Sequence, residues 1–275
     1  MLEIETKKIG AELTSIKLNG NEKLHQGQSH WKRHAPILFP IVGQLKEGKT
    51  IINEQTYEMA QHGFARDMEF EEIEKNKFIL KFSNETLIKF PFEFELYVEY
   101  IINDNELITK YTVINKDSKQ MLFGIGGHPA YICEYGTGDY QIQFNNKENE
   151  IEFMQLENGL ISNKKTPNFL KNNSIDLLPN TFENDAIIMK NIKSNKVTLY
   201  NKKEDKKLLE FDFTEFPYLA LWSKKGAPFV CIEPWYNTTD HIDSNGKFEE
   251  KENILKLKPN EKFECQYKVK FYEEE

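Results

Sequence analysis

An alternation of apolar and polar residues with a period of two limits what this chain can fold into more than any other feature. Phe92, Phe94, Leu96, Val98 and Tyr100 alternate with Glu93, Glu95, Tyr97 and Glu99, which describes an extended segment with one buried and one solvated face. The turn Asn103-Asp104-Asn105-Glu106 then leads into Leu107–Val113, completing a hairpin signature. The same alternation closes the chain, where Phe263, Cys265, Tyr267, Val269 and Phe271 face one way and Lys262, Glu264, Gln266, Lys268 and Lys270 the other. Further strands are expected at Phe78–Phe82, Tyr140–Phe144, Ala186–Met189, Val197–Tyr200 and Tyr218–Trp222. Short strands at this density, broken by Asn, Asp, Gly and Lys, predict an all-β fold, a large antiparallel sandwich. No stretch combines a long 3.6-residue period with good caps, so little helix is expected.

At 275 residues, such a fold fits in one large unit. No Gly/Ser/Pro linker and no fixed repeat divides the chain, so a single domain over residues 1–275 is expected. The most loop-like stretch, from about Lys147 to Asn184, is rich in Asn, Lys and Pro. It reads either as an excursion beside a binding cleft or as a surface insertion.

Lys and Arg number 36 against 44 Asp and Glu, a net charge of −8 with the signs interspersed. That balance argues against nucleic-acid and anionic-membrane partners. Cys133, Cys231 and Cys265 form no CxxC pair and are odd in number, which suggests neither a disulfide framework nor a zinc knuckle. The start, Met-Leu-Glu-Ile-Glu-Thr-Lys-Lys, lacks a basic segment followed by an apolar one, and no run approaches the roughly 20 apolar residues of a membrane span. A cytoplasmic protein is expected.

Three titratable residues interrupt hydrophobic, strand-like stretches beside Gly or Pro: His62 in Gln61-His62-Gly63-Phe64-Ala65-Arg66, His128 in Gly126-Gly127-His128-Pro129, and Glu233 in Cys231-Ile232-Glu233-Pro234-Trp235. A lone histidine in such a run is more often a hydrogen-bonded core residue than a catalyst. Together, two imidazoles and a carboxylate form an acid–base set able to move protons on a small polar substrate without a cofactor. His25, His30, His34 and His241 occupy polar or loop-like sequence instead. Two His and a Glu also serve at some zinc sites, but the spacing offers no helical ligand pair. The chain contains no GxGxxG, GxxxxGK[ST], GxSxG or HExxH motif.

In order, Pro40-Ile41-Val42-Gly43, the His62 motif, Gly127-His128-Pro129-Ala130-Tyr131, Asn184-Asp185 and Ile232-Glu233-Pro234-Trp235 resemble the aldose 1-epimerase (galactose mutarotase-like) family. Within it the chain is most similar to the LacX-type bacterial branch. The resemblance runs from about Ile4 to Phe271. It implies a β-supersandwich with a sugar held in an open cleft, and interconversion of the α and β anomers of an aldose without a metal or redox cofactor. Carried over by position, it makes Glu233 the general base, His128 the general acid, His62 the support of the ring oxygen, and Asp185 a hydrogen-bond partner of sugar hydroxyls.

Those roles agree with the chemistry of mutarotation, in which the anomeric hydroxyl loses a proton while the ring oxygen gains one. A carboxylate beside the imidazole is expected to keep His128 protonated near neutrality. The chain departs from the family pattern at Gln44, where related sequences commonly carry Arg, so a neutral amide replaces a guanidinium fork. Arg66 remains as a candidate cation at the substrate, with a salt bridge to Asp67 as the alternative. Arg33, Lys32, Lys224 and Lys225 would make a phosphate rim only if they converge. Trp235, and after it Trp222 and Trp31, could stack on a pyranose. The expected partner is a hexose or hexose phosphate, and the chain is expected to be a monomer or homodimer. Alternatives are a non-catalytic carbohydrate-binding or regulatory protein of the same fold, and a hexose-6-phosphate 1-epimerase. A glycoside hydrolase is weaker, since it would leave both histidines without roles.

Overall fold

A computed structural model describes every residue except Ser29, Tyr135, Glu274 and Glu275, so the last two residues of the expected domain lie outside the described residues. Two large antiparallel sheets dominate. The nine-stranded sheet runs in the order Ser174–Asp176, Tyr140–Phe144, Lys196–Asn201, Lys206–Asp212, Lys262–Phe271, Glu106–Asn115, Phe94–Asn103, Lys77–Lys81 and Glu71–Glu74. The expected hairpin lies at its centre, with Tyr100 opposite Thr109 and Asn103 opposite Glu106. Asp104 closes the turn in the left-handed region, at φ 55°. The chain's last long strand pairs on the other side, Tyr111 opposite Cys265. Phe94, Leu96, Val98, Tyr267 and Val269 are buried while the alternating Glu and Lys residues are not, as the period of two requires.

The second sheet has the order Leu160–Ile161, Glu152–Glu157, Ile187–Lys190, Tyr218–Trp222, Phe229–Trp235, Gly126–Gly127 and Ile37–Leu38, with Ala130–Ile132 also pairing Phe229–Trp235. One continuous hydrophobic core joins the two sheets, from Leu96, Tyr111, Phe211 and Tyr267 on one side to Leu219, Leu221, Val230 and Ile232 on the other. The strand Phe229–Trp235 is buried along its whole length. Its even residues Val230 and Ile232 enter the inter-sheet core, while Phe229, Cys231, Glu233 and Trp235 face the opposite way. A strand covered on both faces is what allows a carboxyl to be held out of water on the outer side of a sandwich.

Helix is scarce, as expected. Among the described residues one short α-helix, Asn84–Lys89, forms where Ser83 and Thr86 cap each other reciprocally. The stretch from Lys147 to Asn184 is not a plain loop. It supplies Glu152–Glu157 and Leu160–Ile161 to the second sheet and Ser174–Asp176 to the first. Its strands are short, and Asn and Lys punctuate them, so their alternation was too brief to register in sequence.

Candidate active site

Glu233 is held by the central strand of the second sheet, where Ala220 pairs with it across the ladder. His128 arrives from the neighbouring edge of that strand. The two glycines before it allow the approach: a Cβ on Gly126 would stand 2.8 Å from the Pro234 carbonyl oxygen, and one on Gly127 would stand 2.9 Å from the Tyr267 ring. Gly126-Gly127 is thus pressed between strand Phe229–Trp235 and the other sheet, and the chain emerges with His128 beside Glu233. His62 sits in a left-handed turn at φ 65°. Its backbone is fixed at both ends, its N–H donating to the Gly43 carbonyl at 2.7 Å and its carbonyl accepting from Phe39 N–H at 3.3 Å.

These residues converge on a cavity of about 230 Å³ on the outer face of the second sheet. His62, Arg66, His128, Asp185, Glu233 and Trp235 all line it. Gln44 does not. Its side chain packs over Gly159, while its N–H donates to Thr239 Oγ1 at 2.9 Å, so it supports two lining residues from behind. Arg33, Lys32, Lys224 and Lys225 are also absent from the wall, and Arg33 is paired with Asp67 at 2.8 Å. Larger hollows elsewhere, such as the 460 Å³ one beside Met59 and Lys89, contain none of the three acid–base residues.

His128 Nε2 lies 3.3 Å from Glu233 Oε2. Glu233 is 1% exposed and its oxygens make no well-formed hydrogen bond; His128 Nε2 and the Trp235 indole are the donors that face the carboxyl. A buried carboxyl so poorly supplied with donors is costly in a structure that has no use for it. Burial drives its pKa well above the usual carboxylate range, the Trp235 indole partly offsets this, and Asp185 adds to it. Burial likewise lowers His128 to about 3, with Arg66 adding to the effect. The expectation that Glu233 keeps His128 protonated is therefore corrected. Desolvation penalises both charged forms, and the buried pair is best described as holding one proton between its two members.

The His62 imidazole is hydrogen-bonded at one nitrogen: Gly43 N–H donates to Nδ1 at 3.0 Å. The neutral ring accordingly carries its proton on Nε2. Burial first, then His128, Arg66 and Arg33, hold its pKa well below 6.5, which makes it a fixed neutral donor. The two imidazoles meet edge to face, with ring centroids 5.4 Å apart. Trp31 stacks on His128 at 4.9 Å and Trp222 meets it edge-on at 5.7 Å, so both tryptophans fix the His128 plane and both line the cavity.

Arg66, in the turn Ala65–Asp67, donates from Nη2 to the Gln61 carbonyl at 2.6 Å. Its buried Nε makes no hydrogen bond but forms an ion pair with Asp67 Oδ2 at 3.8 Å. Burial lowers its pKa to about 10, leaving it cationic at neutral pH. Asp185 is exposed at the mouth, in a left-handed turn at φ 75°, with Oδ1 accepting from Ala186 N–H at 2.8 Å. Leu156, Gly159 and Thr239 also line the wall. Sequence reasoning missed these three. For Leu156 and Gly159 the signal was only the ambiguous stretch after Lys147. Trp222 was legible, because it continues the outward phase of Tyr218 and Ala220.

A β-sandwich that presents a buried carboxyl to two imidazoles on the outer face of one sheet defines a galactose mutarotase-like protein. Comparison with known proteins makes this specific. The chain belongs to the aldose 1-epimerase family, whose profile matches residues 1–269. It is 36% identical to the chromosomal protein LacX of Lactococcus lactis subsp. lactis, an alignment covering 94% of this chain and 92% of that one. A galactose mutarotase related enzyme from Lactobacillus acidophilus superposes with a TM-score of 0.89 at 30% identity, over 99% of this chain and 95% of the other. A galactose mutarotase-like protein from Lactobacillus casei ATCC 334 gives the same TM-score and identity, over 98% and 97%. Family membership supports a sugar epimerase function.

Proposed function

We propose that the protein is a mutarotase, interconverting the α and β anomers of a hexose by acid–base ring opening and closure. The observation that carries this reading is the buried Glu233–His128 pair, 3.3 Å apart and facing a sugar-sized cavity. The reaction starts from the form in which the pair's one proton sits on His128, so that Glu233 as carboxylate takes the proton of the anomeric hydroxyl. His128 as imidazolium gives one to the ring oxygen, and the C1–O5 bond breaks. The aldehyde rotates about C1–C2 and closes on its other face, with Glu233 returning its proton to O1 and His128 recovering the other from O5. The site ends with the one proton it began with. His62 Nε2–H donates to the ring oxygen and Asp185 accepts from sugar hydroxyls. Proton transfer is all the reaction requires, so these side chains suffice without a cofactor.

A specific observation supports a second reading within the same chemistry, a hexose-6-phosphate substrate: Arg66 brings a cation to the wall, its Nε without a hydrogen bond and held only by the 3.8 Å ion pair to Asp67. The chain would act as one domain, in the cytoplasm, as a monomer or homodimer. Buried Cys231 and Cys265, which form no disulfide, suit a reducing compartment, and no helix of the described residues is long and apolar enough to cross a membrane.

Polarimetry or NMR anomer exchange on fresh α-glucose, α-galactose and their 6-phosphates tests both readings. Glu233→Gln and His128→Ala are each expected to lose about 10²–10⁴-fold in rate. A higher kcat/KM on a 6-phosphate selects the second reading. Sugar binding without acceleration over buffer makes the protein a carbohydrate binder instead.

A further inference from the structure

The strand that carries Glu233 carries a second metal-ligand type two residues earlier. Cys231 and Glu233 share the outward phase of Phe229–Trp235, and the pairing of Ala130 with Cys231 brings His128 alongside. The ligand atoms of His128, Cys231 and Glu233 lie within 4.8 Å of one another. In a tetrahedral zinc site with Zn–N and Zn–O of about 2.0–2.1 Å, two such ligands stand about 3.3–3.4 Å apart. The His128 Nε2 to Glu233 Oε2 distance is 3.3 Å, so this pair is already at coordination spacing. A Zn–S bond of about 2.3 Å sets the sulfur at about 3.6 Å from the other ligands. The Cys231 sulfur thus has at most about 1.2 Å to travel.

Two further observations point to a ligand. The buried Glu233 carboxyl faces the cavity with no well-formed hydrogen bond, only His128 Nε2 at 3.3 Å and the Trp235 indole beside it, and Cys231, fully buried behind the pair, has no part in the proton transfers. His128 and Glu233 line the cavity, which leaves the fourth position accessible to water or solute. Imidazole, thiolate and carboxylate together favour a borderline-soft cation over Mg²⁺ or Ca²⁺. One thiolate and one carboxylate also neutralise a divalent ion in a site that tolerates net charge poorly.

We propose that His128, Cys231 and Glu233 form a Zn²⁺ site with its fourth position open to the cleft, and that zinc held there blocks the sugar reaction by occupying the acid–base pair. The binding half stands on geometry, and the inhibition half rests on the mutarotase reading.

The metal-free chain is titrated with Co²⁺ and then Zn²⁺. One equivalent of Co²⁺ is expected to give a thiolate-to-cobalt charge-transfer band that Zn²⁺ removes, and Zn²⁺ is expected to raise Tm. Outer-shell partners of a metal are worth about 10–100-fold in affinity, so Cys231→Ser, which loses a ligand, should bind at least about tenfold more weakly and lack the band. Cys265→Ser, in the other sheet, should keep both. In anomer exchange, each protein is compared with its own zinc-free rate. Zinc should slow the wild type in competition with sugar, and Cys231→Ser should need at least tenfold more. A band absent from the wild type, or unchanged in Cys231→Ser, overturns the site. If Cys231→Ser melts as unfolded protein, zinc X-ray absorption on the wild type decides, since a shell without sulfur also overturns it. Failure of the mutarotase reading shows separately, as no exchange in zinc-free protein with the cobalt band intact.

Discussion

Glu233 and His128 are unremarkable side chains whose behaviour is set by the absence of water. A carboxylate 3.3 Å from an imidazole would in solvent favour the imidazolium. Here burial raises the acid and lowers His128 to about 3, so the second proton enters the pair only in strong acid. kcat/KM for anomer exchange is therefore expected to stay level from about pH 7 down to about pH 5. A limb at the ordinary imidazole value of 6.5 would show that His128 titrates as a solvated group and would defeat this account. On the proposed reading Asp185 acts on the substrate alone, being exposed and bonded only to the next backbone N–H among the interactions described. Hydrogen bonds to a charged group are worth about 1.5–3 kcal/mol, so Asp185→Ala should lower kcat/KM by about 10–100-fold, mainly through KM. Asp185→Asn, which tolerates the same left-handed backbone, should recover part of it. A fall in kcat at unchanged KM would place Asp185 in the chemistry instead.

At the scale of elements, the motifs around the site are as much about backbone as about side chains. Gly63 follows His62 at φ 74°, and a Cβ there would stand 2.2 Å from the Phe39 carbonyl oxygen. No side-chain rotation relieves that contact. Gly63→Ala is expected to destabilise the fold by about 2 kcal/mol or more, read as a shift in urea midpoint at constant m, and to displace His62 with it. A variant as stable as wild type would mean that the turn has room to move. Strand Phe229–Trp235 shows how far a pattern can be read in sequence. Cys231-Ile232-Glu233-Pro234-Trp235 is recognisable as a site motif, and period two puts Cys231, Glu233 and Trp235 on one face. That this face is also covered, so that the carboxyl is dry, depends on Trp31 and Trp222 closing over it from a loop and a neighbouring strand. Gln44 shows the limit from the other side, for its position beside Pro40–Gly43 pointed to substrate while the fold sets it behind Gly159 and Thr239.

For the molecule as a whole, burying imidazoles in neutral form ties stability to pH. His62 is held well below 6.5. Below about pH 6.5 the unfolded chain takes up a proton at this site that the native chain does not, so stability falls as pH falls, by about 1.4 kcal/mol per pH unit. Glu233, with a raised pKa, contributes in the opposite direction: its stabilisation is present in acid and is lost as pH rises from its unfolded value of about 4.5 towards its native one. His62→Gln removes only the first contribution. It should reduce the loss of stability between about pH 6.5 and 5 by up to that slope, measured by urea unfolding at both values, and an unchanged slope would mean that His62 is already charged in the native state. The sequence by itself determined the all-β class, the central hairpin and the final strand, and it singled out seven site candidates of which six line one cavity. Alternation and Gly- or Pro-flanked titratable groups are local signals, carried by residues a few positions apart. Only the tertiary structure decided that Gln44 stands back from the cleft, that Leu156, Gly159 and Thr239 join its wall, and that His128 and Glu233 meet at 3.3 Å out of water. Those outcomes come from contacts between segments distant in sequence, and from a desolvation that exists only once both sheets and the overlying tryptophans have packed.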